Sequence, residues 1–137
     1  MKNKITVEIV VNTDLQKVWN FWTKPEHIVN WNFASDDWHC PKATNDLRVG
    51  GKFSATMASK DGAMSFDFEG VYDEVIELKR IAYAMVDGRQ VLVTFEKHGN
   101  ATTVTEVFDP ENQNPLEMQE NGWQAILNNF KVYVEKN

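Results

Sequence analysis

Apolar and polar residues alternate at the start of the chain. Ile5, Val7, Ile9 and Val11 fall on one parity, with Thr6, Glu8 and Val10 between them, which predicts a half-buried strand over about residues 3–12. Thr13-Asp14-Leu15-Gln16 then offers a Thr/Gln capping box. Leu15, Val18, Trp19 and Trp22 follow at helical spacing and predict a short helix near 14–23. Pro25 opens a second short helix that carries Ile28 and ends near Asn30. The stretch 31–46 has no period and reads as a long loop, the kind of segment that carries function or moves.

Beyond the loop the period of two returns. Phe53, Ala55 and Met57 share a parity; so do Met64, Phe66, Phe68, Gly70 and Tyr72; then Ile81, Tyr83 and Met85; Val91, Val93 and Phe95; and Val104, Glu106 and Phe108. Turn signals separate these runs at Lys60-Asp61-Gly62, at 77–79, at Asp87-Gly88 and at His98-Gly99-Asn100, and Asp109-Pro110 ends the last. In the final stretch, 114–135, Asn114-Pro115-Leu116-Glu117 reads as a capping box with proline at the first helical position. Trp123, Ile126, Leu127, Phe130 and Val134 then recur at helical spacing, so one face of a long helix is apolar. The expectation is an α+β domain spanning residues 1–137: a six-stranded antiparallel sheet wrapped around a long C-terminal helix, with two short helices after the first strand. One face of such a sheet meets water; the other needs a cover, and the last helix has the length to provide it.

Charge and cysteine content narrow the function. A net charge of −6 disfavours non-specific binding to nucleic acid or to an anionic membrane, both of which attract basic surfaces. The single cysteine, Cys40, excludes an internal disulfide and suits a reducing, cytoplasmic location. The N-terminal residues run into the strand pattern with no apolar segment of a signal peptide, and no run has the length of a membrane span. No cofactor-binding motif is present.

Several short motifs occur in a recognisable order: Val18-Trp19, Pro25-Glu26-His27 with Trp31, Asp46-Leu47-Arg48-Val49-Gly50-Gly51-Lys52-Phe53, Phe68-Glu69-Gly70-Val71-Tyr72-Asp73-Glu74-Val75, and Gly122-Trp123 with Leu127 and Phe130. Across nearly all its length the chain resembles the heat-shock protein 90 ATPase activator homologue family, within the START-like (SRPBCC, polyketide-cyclase-like) superfamily. The resemblance implies the helix-grip fold and a deep cavity between sheet and long helix, which many relatives use for lipids, polyketides or other apolar molecules.

By parity, Phe53, Met57, Met64, Phe66, Phe68, Tyr83, Met85, Phe95, Trp123, Leu127 and Phe130 point between sheet and helix. They are candidates for a cavity lining, against the alternative of a solidly filled core; large aromatic and Met side chains suit either. Arg48 and Glu74 are a candidate polar anchor: Arg48 either holds a ligand carboxylate or pairs with an acid such as Asp46 or Glu74 to fix the sheet corner, and a buried Glu74 needs a partner. Trp31 and Trp38, in the loop, and Gly122, in the helix, are candidates for a lid or mouth. Glycine costs about 1 kcal/mol against alanine inside a helix, so Gly122 marks either a close approach, an opening or a tolerated weakness. Asp36, Asp37, His39 and Cys40 lack metal-ligand spacing, so no metal site is expected. His27 and His98 read as surface residues.

Three classes of function follow. The first is a cytoplasmic protein that holds an apolar small molecule in the cavity. The second is an enzyme of cyclase/dehydrase or hydrolytic type, for which Glu74, Tyr83 and His39 are the available acids or bases. The third is a module that interacts with the chaperone heat-shock protein 90; the family's activators carry a further N-terminal domain that 137 residues leave no room for. The sequence leaves homodimerisation open.

Overall fold

A computed structural model describes residues 4–137. The predicted first strand is present from Ile5, as β1 (Ile5–Val11), and its expected start at Asn3 lies outside the described residues. Two short helices follow, α1 (Leu15–Thr23) and α2 (Pro25–Ile28). The meander comprises β2 (Trp38–Asn45), β3 (Lys52–Ser59), β4 (Ser65–Ile76), β5 (Arg80–Met85), β6 (Gln90–His98) and β7 (Ala101–Phe108), and α3 (Leu116–Lys136) closes the chain. The strands form one antiparallel sheet in the order β1-β7-β6-β5-β4-β3-β2. Each strand pairs with its sequence neighbour except β1, which returns to pair with β7.

The sheet therefore has seven strands rather than six. The additional one, β2, occupies the second half of the stretch expected to be a loop. It is an edge strand, and its pairing with β3 slips between His39 and Lys42, at Pro41. Proline lacks the amide that a ladder needs and is tolerated at an edge bulge. That irregularity also removes the alternation by which a strand is recognised.

The long helix lies against the concave face. Leu127, Phe130 and Val134 are fully buried, and Trp123, Ile126 and Tyr133 pack beside them. Its start differs from the expected capping box. Pro115 is the cap residue and no side chain caps the first turn. Instead the buried amide of Gln119 stitches the preceding loop: its Nε2 donates to the carbonyls of Glu111 and Asn114, and its Oε1 accepts from the Glu111 amide. At α1 the cap is Asp14 rather than Thr13, its carboxylate accepting from the Lys17 amide at 2.9 Å. His27 is not a free surface group: its ring stacks on Phe21 and its Nδ1 lies 2.8 Å from the Tyr133 hydroxyl, tying α2 to α3.

Candidate functional site

The interior is divided in two. Beneath α1 and the C-terminal half of α3 it is solid. Val18, Trp19, Phe95, Val104, Phe130 and Val134 are buried there, with Trp19 edge-on to Phe95 at 5.1 Å. Beneath the N-terminal half of α3, between it and strands β3–β7, a cavity of about 450 Å³ remains. That is within the ~300–1,000 Å³ range of sites that hold drug-sized molecules.

Its walls are mostly aromatic. Phe53, Phe68 and Tyr83 form a cluster with centroids 4.7–6.3 Å apart. Trp123 stacks on Phe108 at 3.8 Å and stands edge-on to Phe68. Trp22 and Trp31 stack at 4.9 Å on the opposite side. Gly70 makes the first cluster possible, because the Phe53 ring lies directly over its Cα, where a Cβ would sit 2.5 Å from the ring. At the open end Trp38 faces Phe66 with centroids 6.0 Å apart, and Phe66 is 51% exposed.

The candidate lining residues separate accordingly. Phe53, Met57, Phe66, Phe68, Tyr83 and Trp123 border the cavity. Met85, Phe95, Leu127 and Phe130 are buried but lie outside its lining, in packed core. Met64 is 61% exposed and precedes β4 in the turn, since the strand begins one residue later than its parity suggests. Trp31 is not a lid. It is buried, its Nε1 donates to the Phe21 carbonyl at 3.0 Å, and Asn129 holds the carbonyls of Trp31 and Phe33, so it forms a fixed wall. Gly122 borders the cavity one turn before Ile126, and a Cβ there would meet nothing within 4 Å. The glycine thus leaves open space rather than permitting a tight helix–strand contact.

Of the two acids expected beside Arg48, Asp46 is its partner and Glu74 is not. Arg48 is exposed and bonds Asp46, with Nε 3.0 Å from each carboxylate oxygen. Glu74 bonds Arg80 at 2.8 Å on the outer face. The reason is a bulge: pairing of β4 with β5 slips between Tyr72 and Glu74, which reverses the parity of every residue beyond it. Val75 turns inward in place of Glu74.

A different carboxylate is inside. Glu106, on β7 between Val104 and Phe108, is 5% exposed and borders the cavity. Among the described residues no group hydrogen-bonds to it, and no fully enclosed side-chain oxygen or nitrogen lacks a partner, so the Glu106 oxygens open onto the cavity. Burial pushes its pKa from 4.5 up to about 8, which leaves the carboxyl mostly neutral at pH 7. The Tyr83 hydroxyl faces the same space without a hydrogen-bonding partner among the described residues. Burial, then the neighbouring Glu106 charge, raise its pKa well above the ordinary phenol value. Tyr72 is committed elsewhere: its hydroxyl donates to Asn45 Oδ1, whose amide donates to the Thr23 carbonyl. Arg89 reaches the cavity wall, but its Nε bonds Asp87 at 2.8 Å.

Cys40 is buried, and burial raises its pKa, which disfavours the reactive thiolate. Among the described residues no three His, Cys, Asp or Glu side chains gather as a metal site would require. Among the described residues no helix is long and apolar enough to cross a membrane.

A sheet curled around a long C-terminal helix, with an aromatic cavity between them, defines a START-like domain of the helix-grip class. The chain belongs to the family described as Activator of Hsp90 ATPase homolog 1-like protein, whose model matches residues 12–135. It is similar to the AHSA1-like protein from Aeromonas hydrophila, whose solution structure superposes with a TM-score of 0.92 at 42% identity, covering 98% of this chain and 93% of that one. It is also similar to Chr148 from Cytophaga hutchinsonii, at 54% identity and a TM-score of 0.84 over the same shares of the two chains. A protein from Nitrosomonas europaea, at 18% identity and a TM-score of 0.83 over 97% of this chain and 94% of that one, shares the fold. No curated protein matches the chain in sequence.

Proposed function

We propose that the protein binds one apolar, drug-sized molecule between its sheet and the N-terminal half of α3, and acts by sequestering, carrying or sensing it. The observation that carries this reading is the open cavity of about 450 Å³ with aromatic walls. A reducing cytoplasm suits the single buried cysteine. A second reading, an enzyme of cyclase/dehydrase type, is favoured by Glu106 and Tyr83 facing the same apolar space, because acid–base chemistry needs such groups at the substrate. The family's name supports a chaperone-interacting role, which would use the outer surface.

The test is a thermal-shift screen of fatty acids, flavonoids and aromatic polyketides, run on wild type and on Gly122→Phe. A ligand that binds only the native state at a hundredfold excess over Kd stabilises by about 2.7 kcal/mol. For a domain of this size that raises the melting point by roughly 5 °C or more. Gly122→Phe is expected to fold at least as stably as wild type, since it removes a helix glycine from the cavity wall at a position where an added Cβ meets nothing within 4 Å. The added ring should abolish the ligand-induced shift. If no compound moves the wild-type melting point and Gly122→Phe unfolds the protein, the interior is solid and the surface-interaction reading takes over.

A further inference from the structure

We propose that the cavity selects a neutral aromatic ligand bearing a carbonyl oxygen, and that the Glu106 carboxyl is the group that reads this oxygen by donating a hydrogen bond to it. The inference rests on the binding reading above and specifies the polar end of the ligand.

The cavity contains a mismatch that a ligand would resolve. Glu106 and Tyr83 are both more than nine-tenths buried, both open onto the cavity, and neither has a hydrogen-bonding partner among the described residues. Buried polar groups are seldom left in this state, because an unsatisfied donor or acceptor loses its hydration without replacement. The ladder places them on strands flanking β6, Tyr83 opposite Val91 and Glu106 opposite Val93, so their side chains rise from the same face under Trp123. Tyr72 is engaged by Asn45 and Arg89 by Asp87, so these two hydroxyl-bearing groups remain to recognise a guest.

Their chemistry indicates the guest. A carboxylic acid kept neutral by apolar surroundings is a hydrogen-bond donor, and a phenol is another. A carbonyl oxygen has two lone pairs and no proton, which complements two donors. An ammonium ion would require Glu106 to ionise and both charges to be desolvated together, a costly arrangement without further partners. The aromatic walls, with Phe53 tilted against Phe68, Trp123 edge-on to Phe68 and Trp123 stacked on Phe108, suit an aromatic or polycyclic body behind the carbonyl.

The experiment measures Kd for three probes of matched shape, 2-acetylnaphthalene, 2-isopropylnaphthalene and 1-(2-naphthyl)ethylamine, at pH 6 and pH 9. The wild type is expected to bind the ketone about tenfold more tightly than the hydrocarbon at pH 6, the worth of roughly one hydrogen bond. The preference should shrink at pH 9, where Glu106 is mostly ionised and the Tyr83 hydroxyl is the donor that remains. Glu106→Leu should leave only the Tyr83 share of the preference, equal at both pH values, while still binding the hydrocarbon. Glu106→Gln should keep it at both, because the amide donates at any pH. Tyr83→Phe should reduce it. Equal binding of ketone and hydrocarbon by the wild type would overturn the assignment while leaving the apolar cavity intact. Tightest binding of the amine, lost in Glu106→Gln, would overturn it in favour of a cation site. Failure of all three probes to bind would overturn the binding reading itself.

Discussion

Glu106→Gln is expected to abolish a loss of stability that the wild-type protein suffers on going from acid to mildly alkaline solution. The native Glu106 carboxyl holds its proton up to about pH 8, against 4.5 for an unperturbed one. Below the lower value both native and unfolded chains carry the proton, and its contribution to stability is fully present. Between the two values the native state binds more protons than the unfolded state, so stability falls as pH rises; it levels off once the native carboxyl ionises. The displacement corresponds to roughly 4–5 kcal/mol across the window. Tyr72, Tyr83 and Arg89 are the other titratable groups on the cavity wall. Both phenol pKa values are raised, so neither loses its proton in this window. The window therefore belongs to Glu106. At pH 9 Glu106→Gln should melt more than ten degrees above wild type, and at pH 4.5 the two should nearly coincide. Parallel melting curves across the range would mean that Glu106 is hydrated or paired, and is not held in an apolar cavity.

The second large effect is expected at Gly70. A Cβ there would stand 2.5 Å from Phe53 Cε2, 2.8 Å from Phe53 Cζ and 3.0 Å from Tyr83 Cδ2. Gly70→Ala must therefore lift the Phe53 ring into the cavity or spread β3 from β4, at a cost of about 1–3 kcal/mol typical of overpacking. Trimming the ring should recover part of that cost: the double variant Gly70→Ala/Phe53→Leu is expected to show favourable coupling of about 0.5–3 kcal/mol in chemical denaturation. Additive effects would mean that the ring moves aside freely and does not fix the cavity wall.

The fold was legible because its strands are half-buried. One apolar parity per strand, interrupted by turns with glycine at positive φ such as Gly62, Gly88 and Gly99, marks a meander without tertiary knowledge. The helix was legible from five apolar residues on one face. The edge strand β2 escaped because Pro41 and the slip beside it leave no period to see.

The site was less legible, and the misplaced residues share a cause. Parity locates a side chain relative to the sheet only while the register holds. The bulge at Asp73 sends Glu74 outward although its sequence pattern points in, and neither glycine nor proline marks the spot. Glu106 is the converse case. Val104, Glu106 and Phe108 share the inward parity, so a carboxylate on the apolar face was visible in the sequence, but β-strands carry many such exceptions and only the three-dimensional placement distinguishes this one. Nor does sequence distinguish filled from empty interior. Phe95 and Phe68 have the same parity and chemistry; one is packed against Trp19 and Trp22, while the other borders the cavity.

The five tryptophans permit the most direct test of the claim that this cavity takes up an apolar molecule. Trp22, Trp31, Trp38 and Trp123 border it, whereas Trp19 is buried against Phe95 in the solid part of the core. Titration with 2-isopropylnaphthalene, followed through the indole N–H signals in a proton–nitrogen correlation spectrum, should move the Trp123 signal most, because the probe enters beside the ring stacked on Phe108. The Trp22, Trp31 and Trp38 signals should follow, saturating at one equivalent, with Trp19 unmoved. Shifts confined to Trp38, at the open end beside the exposed Phe66, or no saturable shift at all, would contradict a ligand site between sheet and helix.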